Sequence, residues 1–122
     1  MFRRSPAGLE PSRTTVAANP GPLFEQWVGI ELWKRLRYLG AGTLSYLRTK
    51  SGSEIDFIVQ RGNALIPIEA KWSENPSARD TRHIAAFIEE HPRLARIGYI
   101  VCRCPRPPQL HEKVIALPWE LL

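Results

Sequence analysis

Three features of the sequence predict an α/β fold with a mixed sheet. A helical apolar stripe lies between Gly21 and Gly40, three strand-like segments follow in close succession, and a second helix precedes two more short strands. The 122 residues make one domain with a modest core. Residues 1–20 have scattered apolar positions without a period, and read as a poorly ordered lead-in or the remnant of an upstream domain. Residues 21–122 are expected to be the folded domain.

Gly21-Pro22 opens the first helix, because a proline in the first turn gives up no hydrogen bond. Leu23, Trp27, Ile30, Leu36 and Tyr38 or Leu39 are its expected buried stripe, and Gly40 ends it. Thr43 to Thr49 reads as a strand, and Lys50-Ser51-Gly52-Ser53 turns the chain. Glu54 to Gln60 alternates polar and apolar residues, Arg61-Gly62-Asn63-Ala64 is a tight hairpin, and Ala64 to Trp72 completes a three-strand antiparallel meander. The second helix spans about Ala78 to Glu90, with Ile84, Phe87 and Ile88 on one face, and stops before Pro92. Ile97 to Cys102 and Val114 to Leu117 are the last two strands, joined by the irregular, proline-dense segment Arg103 to Gln109.

Composition excludes some function classes. No apolar run is long enough to span a membrane and no leader peptide is visible, so the expected compartment is the cytoplasm. Cys102 and Cys104 are one residue apart and have no further cysteine to pair with, which suits reduced thiols. Neither they nor His83, His91 and His111 have zinc-site spacing. His83 is expected at the surface or at the rim of a site. Trp27, Trp33 and Trp119 read as core or interface residues, leaving Trp72 as a candidate for base stacking. The net charge of +5 places +2 in residues 1–20 and +3 in the rest. That balance suits a polyanion such as nucleic acid, and equally a solvated surface.

The hairpin gathers chemistry. With Gly62-Asn63 as a two-residue loop, Arg61 faces Ala64, Asp56 falls opposite Glu69, and Glu54 falls opposite Lys71. Alternation puts these four on one face and Ile55, Phe57, Val59, Ile66, Ile68 and Ala70 on the other, the expected core face. Opposed carboxylates repel, and a divalent cation between them reverses the sign. Two carboxylates at this spacing suit Mg²⁺ or Mn²⁺. Lys71, two residues past Glu69, is placed to orient a water or to neutralise charge on a phosphoryl transition state. Without a metal, the same face reads as solvated, with a Glu54–Lys71 ion pair.

Asp56 followed by Glu69-Ala70-Lys71 on the next strand resembles the D…(D/E)xK signature of the PD-(D/E)xK nuclease superfamily. Glu25 resembles the helix carboxylate that many members, archaeal Holliday-junction resolvases among them, place beside the metal. Gly21-Pro22-Leu23-Phe24-Glu25, Tyr46-Leu47-Arg48-Thr49, Gly52-Ser53-Glu54-Ile55-Asp56-Phe57, Ile68-Glu69-Ala70-Lys71 and the closing Ala116-Leu117-Pro118-Trp119 resemble the C-terminal domain of unknown function that follows bacterial and archaeal AAA-type ATPases.

The resemblance covers about residues 20 to 122 and implies a restriction-endonuclease-like core. By the same resemblance Asp56 and Glu69 are metal ligands, the Ala70 carbonyl is a third, Glu25 is a direct or water-bridged ligand, and Lys71 is the catalytic lysine. Arg48 and Glu54 are supporting residues, and Arg48, Lys50, Arg79 and Arg82 are expected to ring the cleft and contact a phosphate backbone. No G-x-x-x-x-G-K-[ST] occurs, so the chain is expected to be a fragment of a longer ATPase or a stand-alone relative. The expected function is Mg²⁺- or Mn²⁺-dependent hydrolysis of nucleic acid, DNA first, with an AAA-type ATPase as domain or subunit partner. A homodimer is left open. The alternative is a non-catalytic module of the same fold.

Overall fold

The computed structural model describes residues 2–4, 20–48, 54–106 and 109–122. In chain order the elements are β1 (Phe2–Arg4), α1 (Pro20–Leu39), β2 (Thr43–Arg48), β3 (Glu54–Arg61), β4 (Ala64–Ala70), a 3-10 turn (Ala78–Thr81), α2 (Arg82–Glu90), β5 (Gly98–Cys102), β6 (Val114–Pro118) and a closing 3-10 turn (Trp119–Leu121). The strands lie side by side in sequence order. The meander β2–β3–β4 is antiparallel, with the short edge strand β1 antiparallel to β2, whereas β4, β5 and β6 run parallel. The architecture is thus α/β with a mixed sheet: five strands built around two helices, plus β1 at one edge. The turn expected over residues 50–53 lies outside the described residues. No described helix is long and apolar enough to cross a membrane.

Local chemistry sets the boundaries. Gly40, at a φ of +68°, ends α1 in the left-handed conformation that glycine adopts freely, and its N–H donates to the Leu36 carbonyl at 3.0 Å. Gly62 at φ +58°, followed by Asn63 at negative φ, makes the hairpin turn in the manner of a type II′ loop. The expected register follows: Arg61 pairs with Ala64, and pairing continues to Phe57 with Ile68.

Two expectations are corrected by the packing. Along α1 the buried positions are Phe24, Val28 and Leu32, with Leu36 packed beside them, against Leu44, Phe57, Val59, Ile68 and Val101. Of the expected stripe, Trp27 and Leu39 are exposed and Tyr38 is 90% exposed. The helix carries two overlapping apolar stripes, so its periodicity alone does not choose the buried one. The second correction concerns the sheet. The expected single core face does not hold. Phe57, Val59, Ile66, Ile68 and Ala70 pack on the α1 side. Ile55, beside the register shift at Ser45/Leu47, packs instead with the fully buried Ile58 on the opposite face, where Pro67 is fully buried as well. Ile84, Phe87 and Ile88 of α2 cover that face, packing also on Ile100 and Cys102 of β5 and Val114 and Ala116 of β6. A helix that crosses over between parallel strands must lie on one face. With α1 on the other, the sheet has two core faces.

The α2 layer sits close enough to forbid a side chain at Gly98. A Cβ there would collide with Ile84 Cγ2 and stand 3.0 Å from the Pro67 carbonyl. Gly98→Ala is therefore expected to cost about 1–3 kcal/mol through overpacking, although alanine is otherwise the better-ordered residue. Chemical denaturation of the two proteins checks this, and an unchanged midpoint would contradict such close packing.

Candidate metal and phosphodiester site

The site forms where the β3–β4 ladder ends. One step beyond the Phe57–Ile68 pair, register would oppose Asp56 to Glu69, and here backbone pairing stops. The Ala70 N–H, which points toward β3, donates instead to Asp56 Oδ2 at 2.8 Å. On its other side β4 continues into β5 pairing: Glu69 is level with Ile100, and the Lys71 N–H donates to the Val101 carbonyl at 2.8 Å. Asp56 is thereby fixed in the gap between two strands that still share a sheet.

Asp56 and Glu69 are both half-buried, and the Asp56 charge raises the proton affinity of Glu69. Burial lifts the Asp56 carboxyl from an ordinary 3.8 to about 7, helped by the Glu25 charge and by a hydrogen bond to Glu25 that the protonated acid makes, and opposed by the Ala70 N–H. Burial also lifts Glu69, from 4.5 to about 8; the Asp56 and Asp80 charges add to this, while Lys71 and Arg82 oppose it. Glu25 reaches Asp56 from the first turns of α1, next to the buried Phe24 that anchors the helix.

The second helical layer supplies the rest. Lys71 is exposed, and its Nζ stands 3.5 Å from Asp80 Oδ1. Asp80 is itself held in place, accepting the Ser77 N–H at 2.8 Å through Oδ2. The Glu54–Lys71 pair of the metal-free alternative therefore gives way to Lys71–Asp80, and Glu54 is exposed at the start of β3. His83 Nδ1, in the first turn of α2, is 3.7 Å from Glu69 Oε1, so His83 is a rim residue that touches the site. His83 thus stands at the rim as expected, whereas Asp80 escaped the sequence reading as a site residue. The pattern Ser77-x-x-Asp80 before an apolar run signals a helix start, but nothing local says that this start faces Glu69.

Of the expected phosphate-contacting residues, Arg79 and Arg82 are exposed around the 3-10 turn and α2 start, and the Arg82 charge is felt at Glu69. Arg48 ends β2 with its backbone paired to Glu54, while Lys50 lies outside the described residues. At Ala70 the engaged group is the amide; its carbonyl remains an expectation.

Among the described residues no group of three or more His, Cys, Asp and Glu side chains stands ready to hold an ion. The donor set is instead the Asp56–Glu69 pair, with the Glu25 charge acting on Asp56. That set fits Mg²⁺ or Mn²⁺, which one or two carboxylates hold together with waters and substrate phosphate.

Both carboxyls bind their proton more tightly folded than unfolded. Their stabilising contribution is complete below about pH 4 and is lost as pH rises through about 7 for Asp56 and about 8 for Glu69. Metal-free Asp56→Asn, which keeps the shape without the charge, is expected to match the wild type near pH 4 and to melt a few degrees higher at pH 8. Melting curves across that range check the sign, and a variant less stable at pH 8 would contradict it.

Among solved structures, the chain resembles one from a refined half-complex of the tetradecameric assembly of Thermococcus gammatolerans McrB AAA+ hexamers with bound McrC. The match has 21% identity and a TM-score of 0.50, covering 67% of this chain and 20% of that one. The chain thus spans about a fifth of its structural neighbour, and at this identity the likeness speaks for the fold alone. No curated protein matches the sequence. The model of the domain of unknown function DUF4143 matches residues 20–122, and the chain belongs to that family.

Proposed function

We propose that this domain is a divalent-metal-dependent nuclease of the PD-(D/E)xK type, hydrolysing phosphodiester bonds of DNA in the company of an AAA-type ATPase. One observation carries the reading: Asp56, held by the Ala70 N–H, and Glu69 crowd together at the parting of β3 and β4, with the Glu25 charge acting on Asp56 and Lys71 two residues past Glu69. A merely structural sheet end gains nothing from a half-buried carboxylate pair whose ionisation burial opposes.

In this reading Asp56 and Glu69, with the Ala70 carbonyl and with Glu25 directly or through a water, would hold Mg²⁺ or Mn²⁺. The ion, when bound, supplies a Lewis acid for a phosphoryl oxygen and an acidified water. The Ala70 N–H keeps Asp56 aimed along the strand gap, so the carboxylate does not need to reorganise. Lys71 brings a mobile ammonium to the same rim, where the phosphate competes with Asp80 for it and the developing negative charge is neutralised. Arg79 and Arg82, with Arg48 and Lys50, would contact the backbone of the bound strand. The solved neighbour comes from an assembly of AAA+ hexamers with a bound second protein, which supports the ATPase association.

A second reading, a non-catalytic module that binds nucleic acid or a partner beside an ATPase, is favoured by one observation: Lys71 is already neutralised by Asp80. Nicking of plasmid and of single-stranded circular DNA with Mn²⁺ or Mg²⁺, beside melting curves with and without metal, separates the two. The wild type is expected to nick and to gain stability from metal. Lys71→Ala should lose about 100-fold or more in rate while keeping the metal-induced stabilisation, because an ammonium is not a ligand. Glu69→Ala should lose both. Lys71→Ala that nicks like the wild type, or a folded wild type that takes up metal and leaves DNA intact, would contradict the catalytic reading.

A further inference from the structure

The carboxyl ends of β4, β5 and β6 line up in register, with Ala70, Val101 and Leu117 abreast. Two residues further along each strand come Trp72, Arg103 and Trp119, so the row past the sheet edge is aromatic, cationic, aromatic. The Arg103 guanidinium lies over the Trp72 ring, 4.0 Å from its centroid. Its Nε is buried without a hydrogen-bond partner among the described residues. The row is closed from the α1 side: Trp119 meets Trp27 edge-on at 5.5 Å, Trp27 stacks near Phe24 at 6.3 Å, and Phe24 meets Trp72 at 5.0 Å. Phe24 is buried, yet Trp27, Trp72 and Trp119 stay 36%, 40% and 40% exposed. What sets these three indoles apart from the equally exposed Trp33 is that they gather at one end of the sheet, around a guanidinium whose Nε is buried and unpartnered among the described residues.

The chain itself ties this rim to the carboxylates. Phe24 precedes Glu25, and Trp72 follows Lys71. Whatever phosphodiester sits over Asp56 and Glu69 presents its flanking nucleotides here, outside the carboxyl ends of parallel strands, where ligands of such sheets collect. In a duplex the faces of the bases are covered by stacking, so only unpaired bases can lie on indole rings. We propose that the Trp72–Arg103–Trp119 row with Trp27 is a stacking platform for unpaired nucleobases, which makes single-stranded nucleic acid or a frayed end the substrate class. This rests on the phosphodiester reading of the neighbouring site. The guanidinium over Trp72 is held by a weak contact that an incoming base displaces or extends, and Glu74, 3.8 Å from Arg103, is exposed and easily released.

The test is binding of fluorescein-labelled oligonucleotides to the full chain in EDTA, so that affinity is read without cleavage. Oligo-dT, oligo-rU and a hairpin duplex of equal length are compared, the first two telling DNA from RNA. Single strands are expected to bind at least about 10-fold more tightly than the duplex and to shield wild-type tryptophan from acrylamide, a readout that needs no variant. Trp72→Leu and Trp119→Leu should each weaken single-strand binding by about 5- to 100-fold, the range of one lost stacking contact, while Trp72→Phe keeps most of it. Trp33→Leu, at the other end of α1 beside a cavity of about 420 Å³ lined also by Arg37 and Gly42, should change nothing. Equal or tighter duplex binding, folded leucine variants with undiminished affinity, or no oligonucleotide binding at all overturns the platform. Nicking by a wild type without single-strand preference would sink this inference and leave the nuclease reading standing. Single-strand binding without metal-dependent cleavage would do the reverse.

Discussion

β3 and β4 stay paired from the Gly62-Asn63 turn to Phe57 and Ile68, and then the Asp56 carboxylate takes the Ala70 N–H in place of a backbone carbonyl. Much of the site depends on this substitution. A backbone N–H at a strand end needs a partner, and here the partner is a carboxylate that cannot then swing out to solvent. Burial and the neighbouring Glu25 and Asp56 charges work against ionising the pair. The fold bears that electrostatic cost because the strands are pinned on their far sides by extensive burial: Phe57, Val59 and Ile68 under α1, and Ile58, Pro67 and Ile84 between sheet and α2.

The two helical layers make unequal contributions. From one face α1 brings Glu25 to Asp56. From the other, the 3-10 turn and α2 bring Asp80 to Lys71 and His83 to Glu69. The carboxylates therefore sit between layers, at the edge where β4, β5 and β6 all end, and this edge also exposes the tryptophan row. A sheet whose strands simply alternated a wet and a dry face would have left the same residues on open surface, with ordinary acidities.

Much of this was legible in the sequence. The Gly62 turn was enough to derive the register from Arg61–Ala64 to Phe57–Ile68, because a two-residue loop fixes which residues oppose. The alternation expected from Glu54 onward fails at Ile55, beside an irregularity in the pairing with β2 that no local pattern signals. From α1 onward the element order followed from the helix and strand periodicities, whereas β1, which pairs with β2 from within the aperiodic first 20 residues, did not. What was not legible has one cause, the dependence of burial on partners distant in sequence. Phe24, Val28 and Leu32 compete with Leu23, Trp27 and Ile30 as equally apolar stripes, and only the sheet beneath selects between them. Ile58 and Pro67 lie on what reads as the polar face until α2 is placed over it. The Lys71–Asp80 pair and the contact of His83 with Glu69 join segments whose relative position follows from the crossover, not from any local motif. Within the site, the D…ExK spacing was visible, while the strand-gap seat of Asp56 depends on where the ladder stops.

The central claim is that the Asp56–Glu69 pair is a cation site. Calorimetric titration of Mn²⁺ and Mg²⁺ into the wild type and into Asp56→Ala tests it most directly. The account predicts saturable uptake of one ion by the wild type at or below about millimolar concentration, and its loss in an Asp56→Ala protein that remains folded. A folded wild type that takes up neither ion at millimolar concentration, or an Asp56→Ala protein that binds as the wild type does, would contradict it.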